Sequence, residues 1–152
     1  MNKNLSDQTR SRFKGVRVAI TGANGGLGKS LIEVLKRKGA YVVGLTHDRK
    51  HNSNSSQSTP DDWILWSCGK EELLSSSLAN IDILILNHGF NPKQNIDSND
   101  INKAIEINSL SHWRLIEMFE ELTFSNNLNK HNTKEVWVNT SEAEIQIAFS
   151  PV

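Results

Sequence analysis

The chain has 152 residues with 17 basic and 17 acidic side chains, so its formal net charge is zero. This length suits one domain with a substantial core, and the balanced charge gives no electrostatic reason to expect nucleic acid or an anionic membrane as the main partner. A single cysteine excludes an intrachain disulfide, and no apolar run approaches the length of a membrane span. The sequence predicts a polar tail over residues 1–13, a domain over 14–152 and a cytoplasmic location.

The first predicted unit lies at residues 16–45. Val16 to Thr21 is an apolar run of strand length, and a glycine-rich turn follows it. Apolar residues then recur at helical spacing up to a stop signal at Gly39. Tyr41 to Leu45 is a second β-rich run, so this segment predicts a βαβ unit with two parallel, adjacent strands.

The remaining elements continue the alternation of strands and helices. Residues 51–62 are rich in Asn and Ser and predict a solvent-facing loop. The other predicted elements are a third strand at Trp63–Trp66, a short helix at Glu71–Leu78, a fourth strand at Ile81–Leu86, a long helix at Ile101–Phe119 interrupted at 109–112, and a fifth strand at Val136–Thr140. This pattern predicts an α/β, Rossmann-like, doubly wound parallel sheet of strand order 3-2-1-4-5, with ligands at the carboxyl ends of the strands.

The glycine-rich turn fits two phosphate-binding patterns. Thr21-Gly22-x-x-x-Gly26-x-Gly28 has a dinucleotide-binding glycine spacing, whereas Gly28-Lys29-Ser30 matches the end of a nucleoside-triphosphate P-loop. A P-loop also needs an acid at the end of another apolar strand to complete a Mg²⁺ site. The fourth strand ends in Asn87, a poor substitute for that acid. The P-loop NTPase therefore stays a minor alternative.

Four motifs in chain order resemble the short-chain dehydrogenase/reductase family. The first is the glycine motif itself, and the others are Asp82-Ile-Leu-Ile-Leu-Asn87-His88-Gly89, Ala104-Ile-Glu-Ile-Asn108 and Val136-Trp-Val-Asn-Thr-Ser141. The second is similar to the family's Asn-Asn-Ala-Gly strand end, with His88 in place of the Ala. The resemblance covers roughly residues 14–152 and implies the NAD(P)-binding portion of an oxidoreductase that moves a hydride between a nicotinamide and a carbonyl or alcohol.

The resemblance implies a set of cofactor-binding residues: Thr21, Gly22, Asn24, Gly26, Leu27, Gly28, Thr46, His47, Arg49, Asn87, His88 and Gly89. The end of the second strand decides between the two dinucleotides, because an acid there binds the ribose diol and repels a 2′-phosphate. The residues at that point are Thr46 and His47, with Asp48 and Arg49 following. They favour NADP over NAD. The adenine-contacting Asp of the family is replaced by Ser67 or Cys68.

The resemblance also implies catalytic roles. Ser141 is expected to hydrogen-bond the substrate carbonyl, and Asn108 is expected to anchor a water of a proton relay. The family's Tyr-x-x-x-Lys falls one or two residues beyond Val152, so we expect this chain alone to be inactive or nearly so. A non-catalytic dinucleotide-binding or interaction module is the alternative. No residues have metal-ligand spacing, and the apolar long helix and fifth strand predict a homo-oligomer.

Overall fold

A computed structural model describes residues 12–47, 58–92, 97–126 and 134–140. Its five strands are β1 (Arg17–Thr21), β2 (Tyr41–Thr46), β3 (Asp62–Leu65), β4 (Ile83–Leu86) and β5 (Glu135–Val138). They form one sheet of order β3-β2-β1-β4-β5, and every pairing is parallel. The predicted architecture and strand order are confirmed.

The two faces of the sheet are both covered, which explains the continuous apolar runs in the sequence. Side chains alternate along β1, so Val18 and Ile20 join one core cluster while Ala19 joins the other. The four residues of β4 are all buried, and so are the last five of β2. The central strands therefore place their carboxyl ends together at one edge of a rigid layer.

The described helices are α1 (Gly26–Arg37), a 3₁₀ turn (Glu71–Leu74) that continues into α2 (Ser75–Leu78), α3 (Ser98–Ile105) and α4 (Ser111–Asn126). Lys36 and Arg37 occupy the last turn of α1, where cations favour the helix dipole. Gly39 follows with a φ of 88°, a left-handed conformation that ends a helix readily with glycine. The predicted stop is confirmed.

The long predicted helix is not continuous. A π-helical segment, Glu106–Leu110, separates α3 from α4, and α4 extends beyond the predicted end at Phe119 to Asn126. A π-bulge shifts the helical bonding by one residue, which re-aims the side chains after it. An interruption was predicted at residues 109–112, and the π-helix overlaps it. The break begins earlier, at Glu106, and the chain is α-helical again from Ser111.

The packed part of the domain begins before residue 14. Phe13 is buried in the core, and its ring meets Trp137 of β5 edge to face at 6.0 Å. Arg12 pairs with Glu135 at 2.9 Å, and the Trp137 indole also donates to Glu135. These contacts tie the start of the described chain to the outermost strand.

The remaining sequence-based predictions fall partly on residues without described structure. Residues 1–11, 48–57 and 141–152 lie outside the described ranges, so the tail, most of the predicted polar loop and the Ser141 segment remain predictions. None of the described helices has the length and apolarity that crossing a bilayer requires.

Candidate active site

The glycine turn after β1 is held by two close backbone approaches. Gly22 has a φ of 63°, and a Cβ placed on it lies 2.8 Å from the carbonyl oxygen of Asn87. A Cβ on Gly28 lies only 2.4 Å from the carbonyl oxygen of Gly22. Glycine is therefore required at both positions, at the first by backbone conformation and at both by the space available.

The start of α1 is open. A Cβ on Gly26 meets nothing within 4 Å among the described atoms, and the helix-capping residue Gly25 makes no side-chain cap hydrogen bond. Leu27 beside it is half exposed. An uncapped helix start offers backbone N–H groups and the positive end of the helix dipole, which together suit a phosphate. The turn thus has the shape and polarity that a pyrophosphate needs.

The hydroxyl of Thr21 joins this turn to the end of β4. Its oxygen lies 2.8 Å from the backbone nitrogen of Asn87 and 3.2 Å from that of His88. Thr21 is fully buried, so these contacts replace the water that the three groups lose on folding. The glycine turn and the β4 end are thereby fixed relative to each other.

A chain of buried and partly buried polar side chains continues from Thr21, and we call it the polar relay. His88 Nδ1 lies 2.8 Å from Thr21 Oγ1, and His88 Nε2 lies 3.2 Å from Ser111 Oγ. The Ser111 hydroxyl donates to Glu71 Oε1 at 2.7 Å. Arg114 donates to Glu71 Oε2 at 2.7 Å and also pairs with Glu106. The polar relay is thus Thr21, His88, Ser111, Glu71 and Arg114.

The protonation states along the polar relay follow from burial and hydrogen bonding. Burial, with a further contribution from His112, lowers the pKa of His88 to about 4, although Glu71 and the Ile107 carbonyl act in the opposite direction. Burial alone raises the pKa of Glu71, but hydrogen bonds from Arg114, Ser111 and Gly69 outweigh it and lower the pKa below its ordinary value. Near neutral pH the imidazole is neutral and the carboxylate is ionised.

The loop after β4 is held from two directions. Asn139, directly after β5, donates to the side-chain oxygen of Asn87 at 3.1 Å. Asn108 in the π-helix accepts from the backbone nitrogen of Phe90 at 2.7 Å and donates to its carbonyl at 2.8 Å. A Cβ on Gly89 lies 3.5 Å from Asn108 Oδ1. Asn108 is exposed, and its side-chain polar atoms are matched by the Phe90 backbone.

The candidate dinucleotide-selecting residues stand at the end of β2. Thr46 is buried at 5% exposure, whereas the neighbouring His47 is exposed. His47 therefore presents its side chain at this edge and Thr46 does not. Arg49 lies outside the described residues, as does Ser141. Cys68, beside the site, is half-buried, and burial raises the pKa of its thiol.

The sequence analysis did not predict the roles of Glu71 and Ser111 in the polar relay. Glu71 was assigned only to a short helix, yet it is 2% exposed and accepts the Gly69 N–H at 2.9 Å. Ser111 was noticed only as part of an interruption in the long helix. The one signal was that polar break in an apolar stripe, because a polar residue facing a core needs partners. In the described part of the chain, no group of His, Cys, Asp or Glu side chains could hold a metal ion.

This parallel sheet with a glycine-rich first turn has the Rossmann fold, a fold whose members bind dinucleotides at the carboxyl ends of the strands. The family model described as the NAD dependent epimerase/dehydratase family matches residues 18–143. The chain belongs to that family. Solved structures share its fold: a short-chain dehydrogenase from Leptospira borgpetersenii with bound NAD⁺ superposes with a TM-score of 0.75 at 23% identity, over 97% of this chain and 58% of the other.

Two curated relatives are similar in sequence. A monoglucosyldiacylglycerol epimerase of Synechocystis is 39% identical over 147 residues, which are 95% of this chain and 35% of that protein. A 3-oxoacyl-(acyl-carrier-protein) reductase of Rickettsia typhi is 31% identical over 111 residues, or 68% of this chain and 46% of that protein. The chain thus spans less than half the length of either relative.

Proposed function

We propose that this chain is the cofactor-binding portion of an NAD(P)-dependent oxidoreductase of the short-chain dehydrogenase/reductase type. The observation that carries the proposal is the glycine turn, where Gly26 borders open space at an uncapped helix start while Gly22 and Gly28 are packed against backbone. Among the three motif glycines, only Gly26 has room in front of it for a phosphate group. When bound, the nicotinamide supplies a hydride acceptor and donor.

The residues divide into groups along the carboxyl edge of the sheet. The start of α1, with Asn24, Gly26 and Leu27, receives the pyrophosphate. The β4 end, with Asn87, His88 and Gly89, forms the floor under the nicotinamide ribose.

Ser141 hydrogen-bonds the substrate oxygen, and Asn108 positions a water for proton transfer. The cofactor proposed first is NADP, because exposed His47 and the nearby Arg49 favour a 2′-phosphate.

Titration of the 152-residue chain with NADPH and with NADH, followed by cofactor fluorescence, tests this assignment. We expect saturable binding of at least one dinucleotide, with NADPH the tighter. Arg49→Ala removes a cation that pairs with the 2′-phosphate, so it weakens NADPH binding about tenfold and leaves NADH binding unchanged. Lys50→Ala is the matched control, since it removes a neighbouring positive charge. A folded chain that binds neither dinucleotide contradicts the proposal.

The substrate class proposed first is a sugar carbinol of a glycolipid headgroup, because the curated relative that aligns with 95% of this chain is named as a monoglucosyldiacylglycerol epimerase. Epimerisation by hydride transfer would pass the hydride of a carbinol carbon to the dinucleotide and its O–H proton to a proton acceptor. Both would then return to the resulting carbonyl, the hydride on the opposite face. The cofactor is consequently regenerated within each turnover.

An assay of the whole protein with monoglucosyldiacylglycerol tests this substrate class. We expect conversion of the headgroup to its epimer without net reduction of the dinucleotide. Ser141→Ala lowers turnover about a hundredfold, because one donor to the developing oxyanion is lost, and Thr140→Ser serves as the neighbouring control. Dinucleotide binding without turnover of any alcohol or carbonyl substrate favours the alternative, a non-catalytic module with the same fold.

The proposal includes a cytoplasmic homo-oligomer. Large apolar side chains remain exposed along the α3–π–α4 segment, namely Ile101, Ile105, Leu110, Trp113 and Phe124. Apolar surface of this extent favours association with a partner.

A further inference from the structure

The Glu71 carboxylate fixes the direction of every hydrogen bond in the polar relay. It is surrounded by donors only: the Gly69 N–H at 2.9 Å, the Ser111 hydroxyl at 2.7 Å and the Arg114 guanidinium at 2.7 Å. An ionised carboxylate accepts from all of them, and it has no hydrogen to give. Ser111 must therefore donate its only hydrogen to Glu71.

The Ser111 oxygen is left as an acceptor toward the imidazole. His88 Nε2 lies 3.2 Å from it, so the ring hydrogen sits on Nε2. A neutral imidazole carries one N–H, and Nδ1 consequently carries a lone pair.

The lone pair on Nδ1 faces the Thr21 hydroxyl at 2.8 Å. The other acceptor within reach of that hydroxyl is the Ile85 carbonyl at 3.3 Å, and the shorter contact takes the hydrogen. The two lone pairs of Thr21 Oγ1 then accept the backbone N–H groups of Asn87 and His88. The Thr21 hydroxyl therefore gives its hydrogen to Nδ1 and uses both of its lone pairs.

The imidazole is held in place from its sides as well. Trp66 meets the ring edge to face, with centroids 5.1 Å apart, and His112 does so at 4.2 Å. His112 also donates through Nε2 to the His88 carbonyl at 3.0 Å. The ring plane and the backbone of His88 are thus both fixed by residues outside the glycine turn.

We propose that His88 is a positioning residue for the dinucleotide: its Nδ1 lone pair, directed by Ser111 and Glu71, holds the Thr21 hydroxyl hydrogen and so fixes the glycine turn against the end of β4. The inference rests on the proposed function for the ligand that it positions. The hydrogen bonds of the polar relay link the turn after β1, the loop after β3 and the start of α4. The dinucleotide then meets a preorganised turn, which reduces the cost of binding.

The direction of the polar relay is tested without any ligand. Nitrogen NMR of the imidazole distinguishes the protonated from the unprotonated ring nitrogen, and we expect the hydrogen of His88 on Nε2 at neutral pH. His88→Asn identifies the signals by their loss. A hydrogen found on Nδ1 overturns the proposal, whatever the dinucleotide affinity proves to be.

The positioning role is tested by two amide variants with opposite geometry. An Asn side chain places an oxygen near the Nδ1 position, so His88→Asn keeps the acceptor for Thr21. A Gln amide reaches the Nε2 position, so His88→Gln keeps the contact with Ser111 and loses the one with Thr21. The ligand is whichever dinucleotide the wild type binds more tightly. We expect the Kd of the Asn variant for it to lie within about twofold of the wild-type Kd. The Gln and Ala variants should bind it about tenfold more weakly than the wild type.

Melting temperatures of the three variants separate positioning from general stability. The proposal requires affinity to follow the Nδ1 acceptor, with Asn above Gln and Ala, even where the Asn and Gln variants melt alike. Equal affinities for Asn and Gln, or affinities that follow the melting temperatures alone, overturn it. A wild type that binds no dinucleotide overturns both the cofactor assignment and the positioning role. The hydrogen-bond direction is judged separately, and it stands if NMR finds the hydrogen on Nε2.

Discussion

Gly28→Ala is expected to destabilise the fold by about 3 kcal/mol. The added Cβ lies 2.4 Å from the Gly22 carbonyl oxygen and 2.8 Å from the Cα of Ala23. Both neighbours are backbone atoms, so no side chain can rotate to make room. The turn must open and α1 must move away from β1, which a denaturant titration of the free energy of unfolding measures.

Gly26→Ala is the matched control two residues away. Its added Cβ meets no described atom within 4 Å, so we expect stability to be unchanged or slightly raised, because alanine favours a helix over glycine. The same methyl group projects into the space proposed for the pyrophosphate. Dinucleotide affinity should therefore fall at least tenfold in a normally stable protein.

The pair of glycine variants separates packing from binding. Equal unfolding free energies for the two variants contradict the packing argument at Gly28. Unchanged dinucleotide affinity in the Gly26 variant contradicts the assignment of the open space to the phosphates.

Glu71→Gln is expected to cost about 3 kcal/mol of unfolding free energy. The side chain is 2% exposed, and its acceptors face donors from Gly69, Ser111 and Arg114. An amide presents two hydrogens of its own, so either orientation sets a donor against a donor. The expected loss of stability is at the lower end of the range for breaking a buried ion pair, because Arg114 is about one-third exposed and keeps Glu106 as a partner.

The pH dependence of the unfolding free energy tests this prediction most directly. The pKa of Glu71 is lowered from its ordinary value of 4.5 by its donors, despite burial. The stabilisation is therefore present above about pH 4.5 and is lost as the pH falls through the folded-state pKa. The difference between wild type and Glu71→Gln should shrink below pH 4.5. Glu72→Gln, at the exposed neighbouring residue, should cost little at any pH, and a pH-independent Glu71→Gln cost contradicts the mechanism.

The parallel sheet covered on both faces was predictable because it depends on local signals. Apolar runs too continuous for a half-exposed strand imply coverage on both faces, and the alternation with helices implies parallel pairing. The structure bears this out at β1, β2 and β4, whose residues are almost all buried. Strand ends were less accurate: the fifth strand was predicted at Val136–Thr140 and is found at Glu135–Val138.

The roles of individual site residues were predictable only where the backbone conformation or packing requires a particular residue type. Gly22 and Gly28 are constrained by backbone conformation and close backbone packing, and such requirements recur at fixed spacing in a sequence. The interruption predicted at residues 109–112 is overlapped by the π-helix at Glu106–Leu110, which includes Asn108. The hydrogen bonds of Asn108 to the Phe90 backbone, however, join residues 18 apart in the chain.

By itself the sequence determined the parallel sheet, the glycine turn and the edge where the site lies, since each follows from patterns within a few residues. Tertiary structure alone decided the polar relay. Thr21 and His88 are 67 residues apart, and Ser111 and Glu71 are 40 apart. Nothing in the local pattern distinguishes a buried Glu71 from exposed Glu72. Hydrogen-bond directions depend on which donors surround a carboxylate, and only the packing of the sheet against α4 brings those donors together.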